Sequence, residues 1–154
     1  MTVEYNVENP YDIKDELLPL NIKHYEEDFR KGTGDLVIDW EKYKALHESG
    51  ALLLVTARVG NKLIAYMSTT ISEHPHNKGH EFASMDTLFV DKEWRGKSIA
   101  SELIETTEDI LEDRGVSWFT VGFRSAEVAE AVTGKMGYKK VECIFGKTLG
   151  SKQW

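Results

Sequence analysis

A strand, a glycine turn and a helix are encoded in one run of this chain, Leu88-Phe89-Val90-Asp91-Lys92-Glu93-Trp94-Arg95-Gly96-Lys97-Ser98-Ile99-Ala100. Its first residues are typical of a buried strand, and a helical pattern of apolar residues continues from about Lys97 to Arg114. The first turn of a helix carries backbone N–H groups without intrahelical partners, and the helix dipole adds positive potential there. The run therefore predicts a site for an anion such as a pyrophosphate, although plain βα packing would produce the same pattern.

Hydrophobic periodicity along the rest of the chain predicts strands that alternate with helices. We expect strands at 1–7, 51–59, 62–72, 80–90, 117–121 and 138–149, and helices at 12–30, 39–49, 97–114 and 126–136. Asp12 is expected to cap the first helix, and Lys31-Gly32-Thr33-Gly34 to connect it to the second. Gly60-Asn61 predicts a tight hairpin turn.

This order, β-α-α-β-β-β-α-β-α-β, predicts an α/β protein. The hairpin makes the first half of the sheet antiparallel, and the strand-helix alternation of the second half adds parallel pairing. We therefore expect a single domain over residues 1–149, with a mixed β-sheet flanked by helices and a frayed tail at 150–154.

Composition restricts the function classes. The chain has 154 residues, 41% of them hydrophobic and 29% charged, which is typical of one soluble domain. Its net charge of −7 argues against nucleic-acid binding, which needs clustered Lys and Arg. Much of the acidity falls on the helix at 97–114 and is interpreted as a solvated face. The single Cys143 fits a reducing compartment, and Ala51–Val55, the longest apolar run, is too short to span a membrane; we expect a cytoplasmic location and no membrane partner.

The run Arg95-Gly96-Lys97-Ser98-Ile99-Ala100 resembles the acyl-CoA-binding loop of the GNAT superfamily of N-acetyltransferases. That loop has Gln or Arg, two residues, Gly, one residue, then Gly or Ala; Arg95 and Ala100 match, and Ser98 replaces the usual glycine. Similarity continues upstream through 85–94 and downstream to 135–138. A His-rich loop around His76 and the run Asp86-Thr87-Leu88-Phe89 also resemble segments of GNAT-like proteins carried by tailed-phage genomes.

The resemblance implies a GNAT-like fold that binds acetyl-CoA as co-substrate between the strands ending at Val90 and Val121. Backbone groups of 88–90 would bind the pantetheine and the acetyl carbonyl, and 95–101 would hold the pyrophosphate. Lys97 has a second interpretation as a solvated residue, and the Ser98 hydroxyl could itself donate to an anion. The implied cofactor-binding residues are Leu88, Phe89, Val90, Arg95, Gly96, Lys97, Ser98, Ile99, Ala100, Ser101 and Ser125.

The resemblance also implies a proton acceptor, because a lysine-type amine with a pKa of about 10.4 must lose a proton to react. Family members often use a glutamate on the fourth strand, and the matching residue here is Asp86. Strand alternation places Ser84, Asp86 and Leu88 on one face, so Ser84 and Asp86 are candidate catalytic residues; a structural carboxylate is the other interpretation of Asp86. The tyrosine that often protonates the leaving thiolate is replaced by Thr133, whose hydroxyl is too weak an acid.

Three histidines cluster at His74, His76 and His80, with His76-Asn77-Lys78 between the third and fourth predicted β-strands. His76 could relay the amine proton and is a third candidate catalytic residue. A zinc site has no familiar motif spacing to support it, so no metal is expected, and solvated loop histidines are a further interpretation.

Together these features predict an acetyl-CoA-dependent N-acetyltransferase that acts on a small-molecule amine or a protein lysine by direct attack in a ternary complex. The absent tyrosine leaves open a non-catalytic acyl-CoA-binding or protein-interaction module. An unrelated βα protein that binds another nucleotide is a third option. Edge strands in this fold often pair between subunits, so a homodimer is among the expectations.

Overall fold

Five strands form one mixed sheet in the computed structural model, which describes residues 1–28 and 34–150. In sheet order they are β1 (Glu4–Val7), β2 (Leu52–Val59), β3 (Lys62–Glu73), β4 (Glu81–Val90) and β5 (Trp118–Thr120). The first four strands pair antiparallel, and β4 pairs parallel with β5. The helices are α1 (Lys14–Glu27), α2 (Trp40–Glu48), α3 (Ile99–Arg114) and α4 (Ala126–Thr133), with a 3-10 turn at Lys92–Trp94. None of these described helices combines the length and apolarity needed to cross a bilayer.

This architecture confirms the predicted α/β class, with a mixed sheet flanked by helices and the expected order of elements through α4. Local signals explain the agreement. Gly60 has a φ of 58° in the turn that joins β2 to β3. The Asp39 side chain accepts from the backbone N–H of Lys42 at 2.9 Å and caps α2, while Gly50 follows that helix with a φ of 78°.

The first helix differs from its prediction at its N-terminal end. Ile13, rather than Asp12, occupies the N-cap of α1 and makes no side-chain capping bond. Pro19 lies inside the helix, where it cannot donate a helical hydrogen bond, and burial of the neighbouring Leu17 and Leu20 against the sheet compensates. The predicted end near Arg30 and the connector at 31–33 lie outside the described residues.

The predicted last strand at 138–149 is corrected, because these residues carry no regular secondary structure. The side chains of Ile144 and Phe145 are 82% and 92% exposed. Alternating polarity gives the period of a strand but does not supply a partner, and β5 at that edge of the sheet is only three residues long. The expected frayed tail falls largely outside the described residues, which end at Gly150.

The sheet separates two apolar clusters. On one face Val55, Met67, Leu103 and Ile104 are fully buried between the sheet and α3. On the other face α1 contributes Ile13, Leu17 and Leu20 to a smaller cluster with Leu54, Leu63, Tyr66 and Phe89. Helix α3 therefore covers one face of the central strands and α1 covers the other. The candidate site lies next to these helices, where β4 pairs with β5.

Candidate active site

The sheet opens between β4 and β5. Their parallel pairing runs over only three residue pairs and ends at Ser84 and Thr120, whose hydroxyl oxygens are 3.2 Å apart. Beyond that pair β4 continues from Met85 to Val90 without pairing to β5, and the chain after β5 turns toward α4. A gap therefore begins at Ser84 and continues toward the carboxyl end of β4, between the two strands that the sequence indicated.

The backbone of β4 presents polar groups to this gap. The N–H of Asp91 donates to the carbonyl of Ile64 in β3 at 2.9 Å, so alternate residues, Phe89 and Thr87, also direct their backbone groups to β3. Leu88 and Val90 consequently direct theirs toward the gap. The sequence predicted that backbone groups of Leu88, Phe89 and Val90 all face the gap. In the structure only those of Leu88 and Val90 do so, and the buried Phe89 side chain packs in the cluster beneath α1.

A β-bulge sets the position of Asp86. Ser68 pairs with Thr87 and Thr69 pairs with Met85, so Asp86 is the extra residue between two ladder positions. Its Oδ2 lies 3.4 Å from Ser68 Oγ, which in turn lies 2.5 Å from Thr87 Oγ1.

The bulge also corrects the predicted faces of β4. Leu88 packs against the α3-side cluster, as Met85 does, whereas the exposed Asp86 reaches Ser68 on the α1 side. Ser84 is exposed as well and contacts Thr120. Ser84 and Asp86 therefore lie together near the start of the gap, without Leu88.

The loop before α3 has the geometry of an anion site. Gly96 has a φ of 78°, and Ser98, the one described non-glycine residue with positive φ, has a φ of 62°. The first helical bond runs from Glu102 N–H to the Ser98 carbonyl at 3.0 Å, which leaves the N–H groups of Ile99, Ala100 and Ser101 without helical acceptors. A Cβ added at Gly96 would meet no described atom within 4 Å, so a ligand has access to this backbone.

Other side chains expected at the cofactor make protein contacts. Lys97 Nζ lies 4.8 Å from the centre of the Trp94 ring. Ser101 Oγ donates to the Val132 carbonyl at 3.0 Å and joins α3 to α4. Ser125 accepts from the N–H of Val128 at 3.2 Å and caps α4 at the far side of the gap.

Glu27, the last residue of α1, connects both sides of the gap. Its carboxylate accepts from Arg95 at 2.8 Å and lies 3.6 Å from Lys92 Nζ, while its backbone carbonyl accepts from Arg124. The hydrogen bond from Arg95 is the main reason that the pKa of Glu27 lies below its ordinary value. Since Arg95 precedes α3 and Arg124 precedes α4, the end of α1 is tied to both flanking loops.

A cavity of about 170 Å³ lies between α1, α2 and the sheet, on the same face as Ser68. Trp40, Tyr43, His24 and Tyr66 are among its walls, and Ser68 and Thr87 bring it next to the bulge. Asp86 is thus placed between the cavity and the gap.

A hydrogen-bond network fixes one wall of the cavity. The Tyr66 hydroxyl lies 2.9 Å from Asn21 Nδ2 and 2.9 Å from His24 Nδ1, and the His24 ring stacks on Phe89. Burial raises the pKa of Tyr66, the Asn21 hydrogen bond opposes this shift, and the negative charge of Asp86, together with that of Tyr43 once it ionises, adds to it. Burial also raises the pKa of Tyr43, again with Asp86 contributing. Both phenols therefore remain neutral near pH 7, and the field of Asp86 reaches this wall.

The histidine loop lies at the opposite end of β4. His74 and His76 have ring centres 5.0 Å apart, and His80 Nδ1 lies 3.1 Å from Ser117 Oγ. The loop follows the Glu73–Glu81 pair, about 16 Å along the strand from Asp86 at about 3.3 Å per residue. The structure therefore does not bring His76 to Asp86, and within 1–28 and 34–150 no cluster of His, Cys, Asp or Glu could hold a metal ion.

Two hydroxyls near the predicted acid position are engaged in structural bonds. Thr133 donates to the Ala129 carbonyl at 2.7 Å inside α4. Tyr138 donates to Glu108 of α3. Burial is the main cause of the raised pKa of Tyr138, and the Glu108 carboxylate raises it further. Neither group is available to protonate a leaving thiolate.

Sequence reasoning missed Ser68, Tyr43, Tyr66 and Glu27. One signal was available for the first of these: Ser68-Thr69-Thr70 places three hydroxyl side chains in succession directly after the apolar run 63–67 of a central strand. The others have no local signal, because their roles depend on contacts between α1, α2 and the sheet.

Solved acetyltransferases share this architecture. The chain is similar to a ribosomal-protein-alanine N-acetyltransferase from Brucella melitensis biovar Abortus 2308, with 19% identity, 97% of this chain and 100% of that chain covered, and a TM-score of 0.73. An aminoglycoside acetyltransferase from an uncultured soil metagenomic sample, in complex with sisomicin, has 19% identity, coverage of 97% and 96%, and a TM-score of 0.74. A predicted acetyltransferase with acetyl-CoA from Clostridium acetobutylicum has 16% identity, coverage of 96% and 97%, and a TM-score of 0.65. At these identities the likeness establishes a common fold.

Sequence comparison establishes the family. No curated protein matches the chain. The model of the acetyltransferase (GNAT) family matches residues 14–138, which include α1, the bulged β4, the anion loop and α4. The match covers most of the chain and agrees with the fold, so this protein is an acetyltransferase that belongs to the GNAT family.

Proposed function

We propose that this protein transfers the acetyl group of acetyl-CoA to a primary amine, by direct attack of the amine within a ternary complex. One observation carries the proposal: the sheet opens at Ser84 and Thr120, and the bulge places Asp86 between that opening and the aromatic cavity. Two substrates that enter from opposite sides would meet beside this carboxylate. The names of two structural relatives, an aminoglycoside acetyltransferase and a ribosomal-protein-alanine N-acetyltransferase, support an amine as acceptor.

The donor side of the gap binds acetyl-CoA in this proposal. The backbone groups of Leu88 and Val90 bind the pantetheine arm, and an N–H from this strand stabilises the negative charge that develops on the thioester oxygen. The N–H groups at the start of α3, with Gly96, hold the pyrophosphate. The open space at Gly96 and the positive φ of Gly96 and Ser98 fit such a ligand.

Asp86 accepts the proton that the acceptor ammonium must lose. The neutral nitrogen then attacks the thioester carbon, a C–N bond forms, the C–S bond breaks and CoA leaves as a thiolate. Ser68, 3.4 Å from Asp86, orients the carboxylate and is a positioning residue. Because a thiol has a pKa of about 8.5, the thiolate can leave without a side-chain acid and take a proton from solvent.

One observation favours a second candidate, a non-catalytic acyl-CoA-binding or protein-interaction module. Thr133 stands where the family often has a tyrosine, and its hydroxyl is held by Ala129. Such a module would bind acetyl-CoA and release no thiol.

Calorimetric titration with acetyl-CoA, with ATP and NAD as controls, tests the donor. We expect saturable micromolar binding that is selective for acetyl-CoA, and no binding would contradict the proposal. Free-thiol release in the presence of a panel of primary amines then tests catalysis. Binding without thiol release for every amine would favour the module.

A further inference from the structure

We propose that the cavity between α1, α2 and the sheet is the acceptor pocket, and that it selects a small monoamine whose ammonium is carried on one ring-sized apolar body. This inference rests on the proposed function, since it assigns an acceptor class to that reaction. It distinguishes among polyamines, aminoglycosides, protein lysines and arylalkylamines, all of which contain a primary amine.

Size is the first constraint. The cavity measures about 170 Å³. An engineered apolar cavity of about 150 Å³ accommodates benzene, so the enclosed part of this cavity, which is partly open to solvent, holds about one six-membered ring. Several linked sugar rings would extend well beyond it.

The walls favour a flat apolar group. Trp40 and Tyr43 have ring centres 6.2 Å apart on one side, and the Tyr66 ring lies on the sheet side. The Tyr66 hydroxyl is engaged by Asn21 and His24, so Tyr66 contributes mainly its ring. Leu17, Leu52 and Leu54 line the remaining apolar surface. Aromatic groups pack favourably on such faces.

Charge orients the ligand. Ser68 and Thr87 lie at the sheet end of the cavity, with the Asp86 carboxylate 3.4 Å from Ser68, and Asp28 is part of the lining. The described residues of the lining include no Lys or Arg. An ammonium therefore belongs at the Asp86 end, beside the gap, while the apolar body lies between the aromatic rings.

The same arrangement disfavours a polyamine. With its reacting ammonium at Asp86, a second ammonium would find only Asp28 as an acidic side chain of the described lining and would otherwise lie among leucines and rings, where burying a charge without a partner is costly. A protein lysine fits as a side chain alone but has no ring to pack on the wall formed by Trp40 and Tyr43. An arylalkylamine satisfies size, shape and charge together.

Equilibrium binding tests the inference independently of turnover. The intact protein, saturated with CoA, is titrated by calorimetry with 2-phenylethylamine, spermidine, sisomicin and Nα-acetyl-lysine amide. We expect 2-phenylethylamine to bind at least about tenfold more tightly than the other three, a difference of about 1.4 kcal/mol. Equal or tighter binding of any of the others would overturn the inference. Thiol release measured with the same amines separates the two proposals: selective binding without release contradicts the catalytic function alone, whereas release with a preference for spermidine or sisomicin contradicts the acceptor class alone.

Variants of Tyr43 test the site. Tyr43→Leu keeps apolar bulk but removes the ring, and we expect it to weaken 2-phenylethylamine binding about fivefold or more. Tyr43→Phe keeps the ring and should bind within about twofold of the parent protein. Tyr11→Leu is the matched control, since Tyr11 contacts Lys14 and Lys44 and is not part of the described lining. Equal effects of the Tyr43→Leu and Tyr11→Leu changes, in proteins with unchanged thermal unfolding, would place the amine elsewhere.

Discussion

The guanidinium of Arg95 donates to the carboxylate of Glu27 at 2.8 Å, and this ion pair joins the loop before α3 to the end of α1. Arg95 Nε also donates to the Val90 carbonyl at 2.8 Å, and the guanidinium lies 5.5 Å from the centre of the Phe89 ring. The residue expected at the pyrophosphate is thus held at the gap by protein groups. A phosphate that recruits Arg95 must compete with Glu27.

Removing that competition should strengthen donor binding. We expect Glu27→Gln to lower the dissociation constant of acetyl-CoA about twofold to fivefold, the range corresponding to a partly exposed ion pair of about 0.4–1 kcal/mol. Calorimetry measures the change. Glu93→Gln is the control, because Glu93 pairs with Lys62 and its loss alters net charge equally. Unchanged or weaker binding in Glu27→Gln would show that Arg95 is structural.

Loss of the proposed base should slow chemistry and spare donor binding. We expect Asp86→Asn to reduce kcat about 10²- to 10⁴-fold while acetyl-CoA binding stays within about twofold. Asp109→Asn, at an exposed position of α3, is the matched control. If Asp86→Asn also abolished acetyl-CoA binding, the carboxylate would have a structural role.

Two variants of Gly96, in the loop 95–98 before α3, can separate the effect of charge on acetyl-CoA binding from the effect of side-chain bulk. Asn and Asp both tolerate the left-handed backbone there, and a side chain meets no described neighbour within 4 Å of its Cβ. Gly96→Asp should therefore weaken acetyl-CoA binding at least about tenfold more than Gly96→Asn, because it places a carboxylate near the phosphates. Similar affinities for the two variants, measured by calorimetry, would remove the pyrophosphate from this loop.

Ser98 should destabilise the fold through its backbone. A left-handed residue with a Cβ costs about 1–2 kcal/mol, and glycine loses about 0.5–1 kcal/mol more conformational entropy on folding. We expect Ser98→Gly to increase the free energy of unfolding by about 0.5–1 kcal/mol, whereas Ser98→Ala keeps the strain and should not increase it. Urea denaturation distinguishes the two. A stabilising Ser98→Ala would show that the backbone is not the cause.

Acid should destabilise the protein through its paired glutamates. Arg114 donates to both carboxylate oxygens of Glu81, at 2.9 and 2.8 Å, and these bonds hold the pKa of Glu81 below its ordinary value. A lowered folded-state pKa gives stability that is present above the unfolded-state pKa and is lost as pH falls through the folded value. Urea midpoints should therefore fall as pH drops below about 4.5, and less steeply for Glu81→Gln. The same pH slope for both proteins would exclude Glu81 as a source.

Local patterns explain what the sequence predicted correctly. The Gly60 turn and the strand, turn and helix around Gly96 each depend on residues within a few positions of one another. Backbone preference and hydrophobic periodicity act over that range, so these features, and the α/β class built from them, could be read in advance.

Long-range contacts account for what could not be predicted. The bulge that turns Asp86 toward Ser68 depends on the register between β3 and β4, and the Glu27–Arg95 pair joins residues 68 positions apart. The cavity lined by Trp40, Tyr43 and Tyr66 also depends on contacts between distant residues. The predicted strand at 138–149 did not form, because its alternating polarity is not matched by a neighbouring strand. Sequence alone determined the helices and strands through α4 and the glycine turn before α3, because these follow from local backbone energetics. Only the tertiary structure decided which side chains line the proposed acceptor pocket, because that depends on how separate elements pack.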